Sequence, residues 1–208
     1  MFNIYINGIP SPRNCQTRLC LYADDTAIMS TGESNNIMED LNSYLDQQGK
    51  WMIGWKLKIN TDKCKAVYIS RHKTTPEPTK LYRRVIPWCN STKYLGVILD
   101  KRLTFKNHIE NNKQKVNAIK AILYTLIRRK SKLSLSNKLL LYKPLVRPVM
   151  SYASPVWGVV AKSHVKKIES AQNIIARQIT NSLWFIRNWY IAKDLKLKTI
   201  KDHFNKFF

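Results

Sequence analysis

The first hundred residues combine short apolar runs with polar turns. Residues 19–23 and 26–29 are apolar and flank the pair Asp24-Asp25, a pattern that predicts a β-hairpin with two acids at its bend. Both faces of each flank carry apolar side chains, so the two strands are expected to be buried on both sides. Residues 34–51 then follow helical spacing. The predicted inward positions of that helix are Ile37, Leu41, Tyr44, Leu45 and Gln48.

Further short strands are predicted between this helix and residue 100. Residues 56–60 and 64–70 are strand-like around the turn residues 60–62, and residues 81–86 and 94–99 follow the same texture. The apolar residues at the very start, 2–6, begin without a cap and are predicted to be a truncated helix. Up to about residue 101 the pattern therefore predicts an α+β unit.

After Asp100 the pattern becomes helical. The apolar face of the first predicted helix comprises Phe105, Ile109, Val116, Ile119, Leu123 and Leu126. Ser134 or Ser136 is expected to cap a second helix, which Pro144 and Pro148 bend or stop. A third helix is predicted over residues 164–180, with Val165, Ile168, Ile175 and Ile179 inward. We therefore predict three segments, residues 1–101 (α+β), 102–182 (all helical) and 183–208 (an aromatic-rich extension).

Charge changes this picture because it is unevenly distributed. The chain carries a formal net charge of +23, and residues 102–208 hold twenty-two Lys or Arg against four Asp or Glu. Residues 1–62 hold five basic and seven acidic residues. A basic body of this kind favours a polyanionic partner, either nucleic acid or an acidic membrane surface. The alternative is a basic protein whose lysines only solvate it.

Cysteine, histidine and hydropathy patterns narrow the classes further. The four cysteines form no CxxC pair and the four histidines lack ligand spacing, so a structural zinc site is not expected. Free thiols are typical of a reducing compartment, and we expect an intracellular protein, nuclear or cytoplasmic. No apolar run approaches membrane-spanning length, and the N-terminus does not have the pattern of a signal peptide.

The acidic pair is the residue cluster with the clearest chemistry. Adjacent carboxylates repel each other, and burial would disfavour their ionisation further unless a cation compensates. Mg²⁺ prefers carboxylate oxygens together with phosphate, so Asp24 and Asp25 are candidate metal ligands. Neighbouring residues of a strand point to opposite faces, and a turn is needed for both to reach one site. On the dipeptide alone, a solvated loop tip is the better explanation of the pattern.

The surrounding motifs resemble the reverse transcriptases of non-LTR retrotransposons, especially the jockey-like elements. Residues 21–28, which contain Tyr22-Ala23-Asp24-Asp25, resemble the YADD box of that family. Residues 2–10 are similar to the segment before it, and Lys93-Tyr94-Leu95-Gly96-Val97 to the motif that closes the palm. Weaker similarities follow in the family's order. They are Trp51, Trp55, residues 58–60, Lys63, Val67, residues 148–152 and 156–158, and the pairs 187–188 and 194–195.

This resemblance implies a fold and a chemistry. Residues 1–101 would be a partial polymerase palm made of a β-hairpin, a helix and short antiparallel strands, and residues 102–182 a basic, all-helical thumb that residues 183–208 extend. The activity would be RNA-directed DNA polymerisation, by nucleotidyl transfer onto a primer 3′ end with two Mg²⁺ ions. The implied partners are an RNA template, a DNA primer and, in the complete enzyme, dNTP.

The resemblance also implies roles for single residues. Asp24 and Asp25 would be the catalytic metal ligands, Tyr22 would support the primer terminus, and Ala23 would leave room for the nucleotide. Tyr94, Leu95 and Gly96 would contact the primer, although a strand packing at the palm edge is the alternative. Lys63 would be a proton donor to the pyrophosphate or a phosphate contact, and a solvated turn lysine is the alternative.

Basic helix faces predict contacts with a nucleic-acid backbone, independent of base sequence and weakened by salt. The residues predicted to make these contacts are Lys113, Lys115, Lys120, Arg128, Arg129, Lys130 and Lys132. The aromatic residues Trp184, Phe185, Trp189 and Tyr190 are suited to stacking on bases, but their helical spacing favours a place in the core.

Two parts of the family pattern are missing from the sequence, the first catalytic aspartate and the fingers. The chain by itself is therefore expected to be inactive. The competing hypothesis is a truncated or domesticated element product that binds nucleic acid and catalyses nothing. A membrane-surface protein is disfavoured because no long amphipathic anchor or lipidation signal is present.

Overall fold

A computed structural model gives the fold and divides the chain into two compact units, Met1–Leu103 and Thr104–Phe208. The residues it describes are 8–12, 14–32, 34–70, 74–158 and 160–198. The predicted truncated helix at residues 2–6 lies outside this set. Among the described helices, none combines the length and the apolar character that a membrane crossing needs.

The described part of the first unit contains three two-stranded antiparallel hairpins. The first pairs β1 (Thr17–Tyr22) with β2 (Asp25–Ser30). The second pairs β3 (Lys80–Leu81) with β4 (Arg84–Val85), and the third pairs β5 (Ser91–Tyr94) with β6 (Val97–Asp100). Together with helix α1 (Ser34–Gly54) they form the predicted α+β unit.

Helix α1 organises the core of this unit. Its predicted inner face is confirmed where it is deepest, because Tyr44, Leu45 and Gln48 are buried. Leu45 forms an apolar cluster with Leu81 and Ile86 from the second hairpin. Tyr44 Oη and Gln48 Nε2 both donate to the carbonyl oxygen of Pro10, at 2.8 and 2.9 Å, and this ties the segment before β1 to the helix.

The strand predictions were wrong in several places. Residues 56–60 contain no strand among the described residues. A short 3-10 helix, Thr61–Lys63, follows them, and residues 64–70 contribute one isolated bridge, Ala66 to Trp88. Residues 81–86 and 94–99 are not single strands. Each contains a two-residue bend with left-handed backbone that folds the segment into a hairpin, a local conformation that apolar periodicity does not encode.

The second unit is helical throughout its described part. Helix α2 (Lys106–Ile127) is followed by α3 (Leu135–Leu145), the short helices α4 (Arg147–Ser151) and α5 (Ser154–Trp157), α6 (Lys162–Thr180) and α7 (Asn188–Asp194). The prediction of a cap at Ser134 is confirmed, since its hydroxyl accepts a hydrogen bond from the Asn137 amide at 3.3 Å. The helical path is interrupted between α3 and α4, with Pro144 near the end of α3 and Pro148 near the start of α4.

The core of this unit lies where α2 and α6 pack together. Val165, Ile168, Ile175 and Ile179 of α6 are all buried, as predicted. On α2 the prediction was wrong at its C-terminal end, because Ile127 is buried whereas Leu126 is 41% exposed. The two residues are neighbours, and packing selected the one that continues the row of Ile109, Val116 and Leu123.

A buried polar pair interrupts this apolar core. The His108 ring is fully buried, lies 5.8 Å from the Trp157 ring between centroids, and is bonded to Asn112 Nδ2 through Nε2 at 3.0 Å. Burial lowers the pKa of His108, and the nearby positive charge of Lys115 lowers it further. The imidazole is therefore neutral in the folded protein at neutral pH.

We predict that acid destabilises the second unit through His108. Below its ordinary pKa, about 6.5, the unfolded chain binds a proton that the folded state excludes, so stability is full above this pH and is lost as the pH falls further. His108→Gln should lower the free energy of unfolding by about 1–3 kcal/mol at pH 7 but flatten its dependence between pH 7 and 5. Thermal unfolding followed by circular dichroism at constant salt measures both effects.

Asn112→Ala provides the control because it removes the partner and leaves the imidazole. This variant should be less stable than the wild type yet keep the acid dependence. An unchanged acid slope in His108→Gln would contradict the assignment.

Candidate functional site

The acidic pair lies at the tip of the first hairpin. The last cross-strand pair is Tyr22 with Asp25, so the two-residue bend consists of Ala23 and Asp24. The sequence predicted the hairpin correctly but placed its bend one residue too late, at Asp24-Asp25. Asp24, Asp25 and Tyr22 are all exposed, and Tyr22 retains 65% of its accessible surface.

The expectation that both faces of this hairpin are buried was wrong. Leu21 and Met29 are 39% and 53% exposed, because β1 and β2 form a sheet of only two strands among the described residues. The two carboxylates therefore lie in water. Repulsion between them is reduced by solvent screening rather than by burial against a counter-charge.

The bend of the hairpin is conformationally strained. Ala23 has a φ of 50°, a left-handed backbone that costs a non-glycine residue about 1–2 kcal/mol. The bend of the third hairpin is similar, with Leu95 at 44° and Gly96 at 79°, where the glycine meets no such penalty. In the third hairpin, two positive φ values in succession match the right-handed twist of the flanking strands.

The third hairpin supplies a tyrosine beside the acidic tip. Burial raises the pKa of Tyr94, and electrostatic interaction with Cys20 and Asp25 raises it further. Cys20, Tyr22 and Asp25 share one face of the first hairpin, since cross-strand partners and alternate residues of a strand point to the same side. Asp25 therefore acts electrostatically on the Tyr94 phenol.

Lys63 occupies a different place from this cluster. It is the last residue of the 3-10 helix Thr61–Lys63 and is exposed. The contacts of that short helix run to the second hairpin, where Arg84 donates to the Thr61 hydroxyl at 3.2 Å and lies 4.0 Å from the Asp62 carboxylate. The structure thus gives Lys63 the position of a turn lysine.

The acidic tip fits part of a magnesium site. Mg²⁺ is commonly held by one or two protein carboxylates, and water and phosphate oxygens complete its coordination shell. The two exposed carboxylates of the tip match that number. Among the described residues, no cluster of three or more His, Cys, Asp or Glu side chains provides a complete protein site. Asp24 and Asp25 would therefore hold the ion only together with further oxygen ligands.

A basic cleft, defined here as the cavity between α2 and α6, is the second feature of interest. Its volume is about 450 Å³, and its lining includes Lys113, Asn117 and Lys120 from α2 and Lys166, Lys167 and Ser170 from α6. A smaller cavity of about 340 Å³ shares Lys166 and Ser170 with it and continues to Arg177 and Asn188.

The other predicted backbone contacts lie away from the basic cleft. Lys115 is exposed but does not line it, because two residues along a helix turn the side chain to another face. Arg128, Arg129, Lys130 and Lys132 are exposed at the C-terminal end of α2, and Arg129 donates to the Asn181 carbonyl at 3.3 Å. Sequence reasoning missed Lys166 and Lys167. The signal that could have found them was the adjacent lysine pair between the buried Val165 and Ile168.

The aromatic residues of the C-terminal segment are on the surface, and the prediction that they form core was wrong. Trp184 is 88% exposed, Phe185 63%, Trp189 61% and Tyr190 54%. The inner side of α7 is occupied by Ile191, and Leu195 is buried just after the helix. The helix has one buried face, and the smaller aliphatic side chains fill it.

Comparison with known proteins defines the class. Residues 1–99, which contain the first two hairpins and all but the last residue of the third, match the reverse transcriptase (RNA-dependent DNA polymerase) family. The resemblance to reverse transcriptases of the non-LTR retrotransposon type, predicted from the motifs, is thus confirmed. No solved structure gives a significant match.

The relatives extend this similarity beyond residue 99. The chain is 34% identical, over 99% of its length, to the probable RNA-directed DNA polymerase from transposon X-element of Drosophila melanogaster. It is 35% identical, over 88%, to the RNA-directed DNA polymerase from mobile element jockey of the same organism, and 28% identical, over 99%, to that from transposon BS. The chain spans 23%, 20% and 24% of these relatives.

Opposite substitutions at two bends test the backbone strain. Ala23→Gly should stabilise the first hairpin by about 1 kcal/mol, whereas Gly96→Ala should destabilise the third by a similar amount, because each changes the steric cost of a left-handed residue. Amide hydrogen exchange of the strand residues reports each hairpin separately. Gly54→Ala is the matched control, since a Cβ at Gly54 meets open space. Changes of the same sign at both bends would contradict this account.

Proposed function

We propose that the chain supplies part of the palm and the thumb of an RNA-directed DNA polymerase, which extends a DNA primer on an RNA template. The observation that carries the proposal is the acidic tip of the first hairpin, Asp24 and Asp25, in a segment that matches the reverse transcriptase family. An exposed pair of carboxylates is suited to a cation that arrives with its own phosphate ligands.

In this proposal Asp24 and Asp25 supply carboxylate oxygens to Mg²⁺, two ions in the complete enzyme. The bound ions would activate the primer 3′ oxygen and neutralise charge on the phosphate that is attacked. Tyr22 lies on the same face as Asp25 and presents its ring where a primer terminus can rest. Ala23 carries only a methyl group, so the bend would leave room for an incoming dNTP.

The third hairpin holds the primer strand in the proposed arrangement. Tyr94 remains a neutral phenol that can donate a hydrogen bond, because burial and its acidic neighbours raise its pKa. Leu95 and Gly96 form the adjacent bend, and the glycine lets the backbone approach a nucleic-acid strand closely. Lys63 contributes at most an exposed phosphate contact.

The second unit contacts the nucleic-acid backbone in this proposal. Lysines from both walls of the basic cleft face one cavity, where phosphate oxygens would relieve their mutual repulsion. Arg128, Arg129, Lys130 and Lys132 form a separate exposed basic group fifteen or more residues along from Lys113, about 20 Å at the rise of a helix. The two groups would contact different phosphates of one bound molecule.

A second candidate function is nucleic-acid binding without catalysis. It is favoured by the incomplete ligand set at the acidic tip among the described residues. In that case the basic cleft still binds nucleic acid, and the acidic tip binds no cation. A measurement of cation binding therefore separates the two candidates, and we propose an intracellular location for either.

Mn²⁺ in place of Mg²⁺ tests the acidic tip directly. Substoichiometric Mn²⁺ should broaden the amide resonances of residues 20–27 selectively, with weak, millimolar-range affinity because two carboxylates leave most of the shell to water. Excess Mg²⁺ should reverse the broadening. Asp24→Asn and Asp25→Asn should each weaken it strongly.

Asp46→Asn is the control because it removes an exposed carboxylate from α1 and leaves the hairpin unchanged. Broadening that follows Asp46, or that spreads evenly over all acidic residues, would exclude a metal site at the tip and favour the non-catalytic candidate.

Alanine substitution in the basic cleft tests the contact with phosphate. The logarithm of the binding constant for a duplex should fall linearly with the logarithm of salt concentration. The double variant Lys166→Ala with Lys167→Ala should reduce the slope of that line by about 2 and weaken binding regardless of base sequence. Fluorescence anisotropy with a labelled RNA–DNA duplex measures both.

Lys143→Ala removes one exposed lysine of α3 that does not line the basic cleft, and affinity should change little. An affinity that stays flat between low and high salt would overturn the proposed interface.

A further inference from the structure

One guanidinium organises the segment between α6 and α7. Arg177 Nε donates to Asn188 Oδ1 at 2.8 Å, and Nη1 donates to the carbonyls of Leu183 and Trp184 at 3.0 and 3.4 Å. Nη2 donates to the Ile186 carbonyl. These bonds fix a loop that would otherwise carry unpaired carbonyls, so its side chains are displayed from a rigid backbone.

The loop exposes Trp184 and Phe185, and α7 exposes Trp189 and Tyr190; we name these two pairs together the aromatic platform. Each ring is more than half exposed, and the rings pair edge to face, with centroids 5.9 Å apart for Trp184–Phe185 and 4.8 Å for Trp189–Tyr190. Several large aromatic side chains exposed in one segment more often mark an interaction site than a surface that contacts only water.

The surroundings of the aromatic platform are positively charged. Residues 177–198 contain five Lys or Arg and one Asp, and Lys193 Nζ lies 5.1 Å from the centroid of the Trp189 ring. A positive rim around aromatic rings matches a polyanion that also carries flat apolar groups. It does not match a basic or uncharged protein partner.

The basic cleft leads to this surface. The smaller cavity shares Lys166, Ser170 and Ile174 with the basic cleft, and Glu169, Asn173, Arg177 and Asn188 complete its lining. Asn188 directly precedes Trp189 in the chain. A strand whose phosphates follow the basic residues of both cavities would therefore pass next to Trp189.

We propose that the aromatic platform binds an unpaired segment of nucleic acid by stacking its bases, while the basic cleft holds the adjoining backbone. This rests on the proposed nucleic-acid binding of the second unit and adds a second mode to it. A paired duplex keeps its bases stacked inside and offers the rings nothing, so the platform distinguishes single strands from duplexes.

Three labelled probes with the whole chain test the proposal. They are a twelve-nucleotide single strand, an abasic strand with the same number of phosphates, and a blunt duplex, and the single strand is prepared as RNA and as DNA. The wild type should bind the single strand at least about tenfold more tightly than the abasic strand, because stacking of each base contributes about that factor.

Trp184→Ala with Trp189→Ala should remove this advantage and leave duplex affinity unchanged. Trp184→Phe with Trp189→Phe should keep most of it, since a phenyl ring still stacks. An unaltered circular dichroism spectrum and melting temperature confirm that the alanine variant is folded. If it is not, the phenylalanine variant and quenching of tryptophan fluorescence by each probe decide the question.

The outcomes separate this proposal from the one on which it rests. Equal binding of the single and abasic strands overturns the platform while duplex binding upholds the basic cleft. Failure of all three probes to bind overturns both. Self-association, or adsorption to phosphatidylserine vesicles, that the alanine variant abolishes without changing single-strand binding would assign the surface to a second copy or a membrane instead.

Discussion

Charges of one sign held close together are the constraint on which both candidate sites depend. At the acidic tip a two-residue bend forces Asp24 and Asp25 into proximity, and in the basic cleft two helices bring four lysines to one cavity. Like charges at such spacing repel, and water screens the repulsion only partly. In the proposed function each site would gain stability when an ion of opposite sign binds, a metal cation at the acidic tip and a nucleic-acid phosphate in the basic cleft.

The two units tolerate this repulsion for different local reasons. The hairpin is fixed at its base, where the hydroxyls of Thr17 and Ser30 bond at 2.6 Å and the Thr31 amide donates to the Gln16 carbonyl at 3.0 Å. In the second unit, the buried α2–α6 interface below the lysines is apolar and holds both helices in place. In the proposed function the ligands would contact exposed groups, whose positions are set by buried or hydrogen-bonded neighbours.

Not every arginine and lysine side chain belongs to the basic surface of the molecule. Arg177 closes the loop before α7, and the buried Lys138 donates to the Arg128 carbonyl at 3.2 Å at the end of α2. Both are structural, although composition alone counts them with the basic surface. The same caution applies to aromatic residues, because Trp157 is the fully buried ring of the core while Trp184 is almost wholly in solvent.

The sequence by itself determined the family, the three longer helices of the second unit and the acidic hairpin, because these rest on local periodicity and on an ordered series of motifs. It did not predict the short helices α4, α5 and α7. It was wrong about the burial of that hairpin, the strands near residues 60 and 70, and the core position of Trp184 and Trp189. Burial depends on which elements pack against a segment, and left-handed bends at Ala23 and Leu95 depend on the closure of hairpins. Only the tertiary structure joined Lys166 and Lys167 to Lys113 and Lys120, since residues far apart along a chain become neighbours only when helices pack.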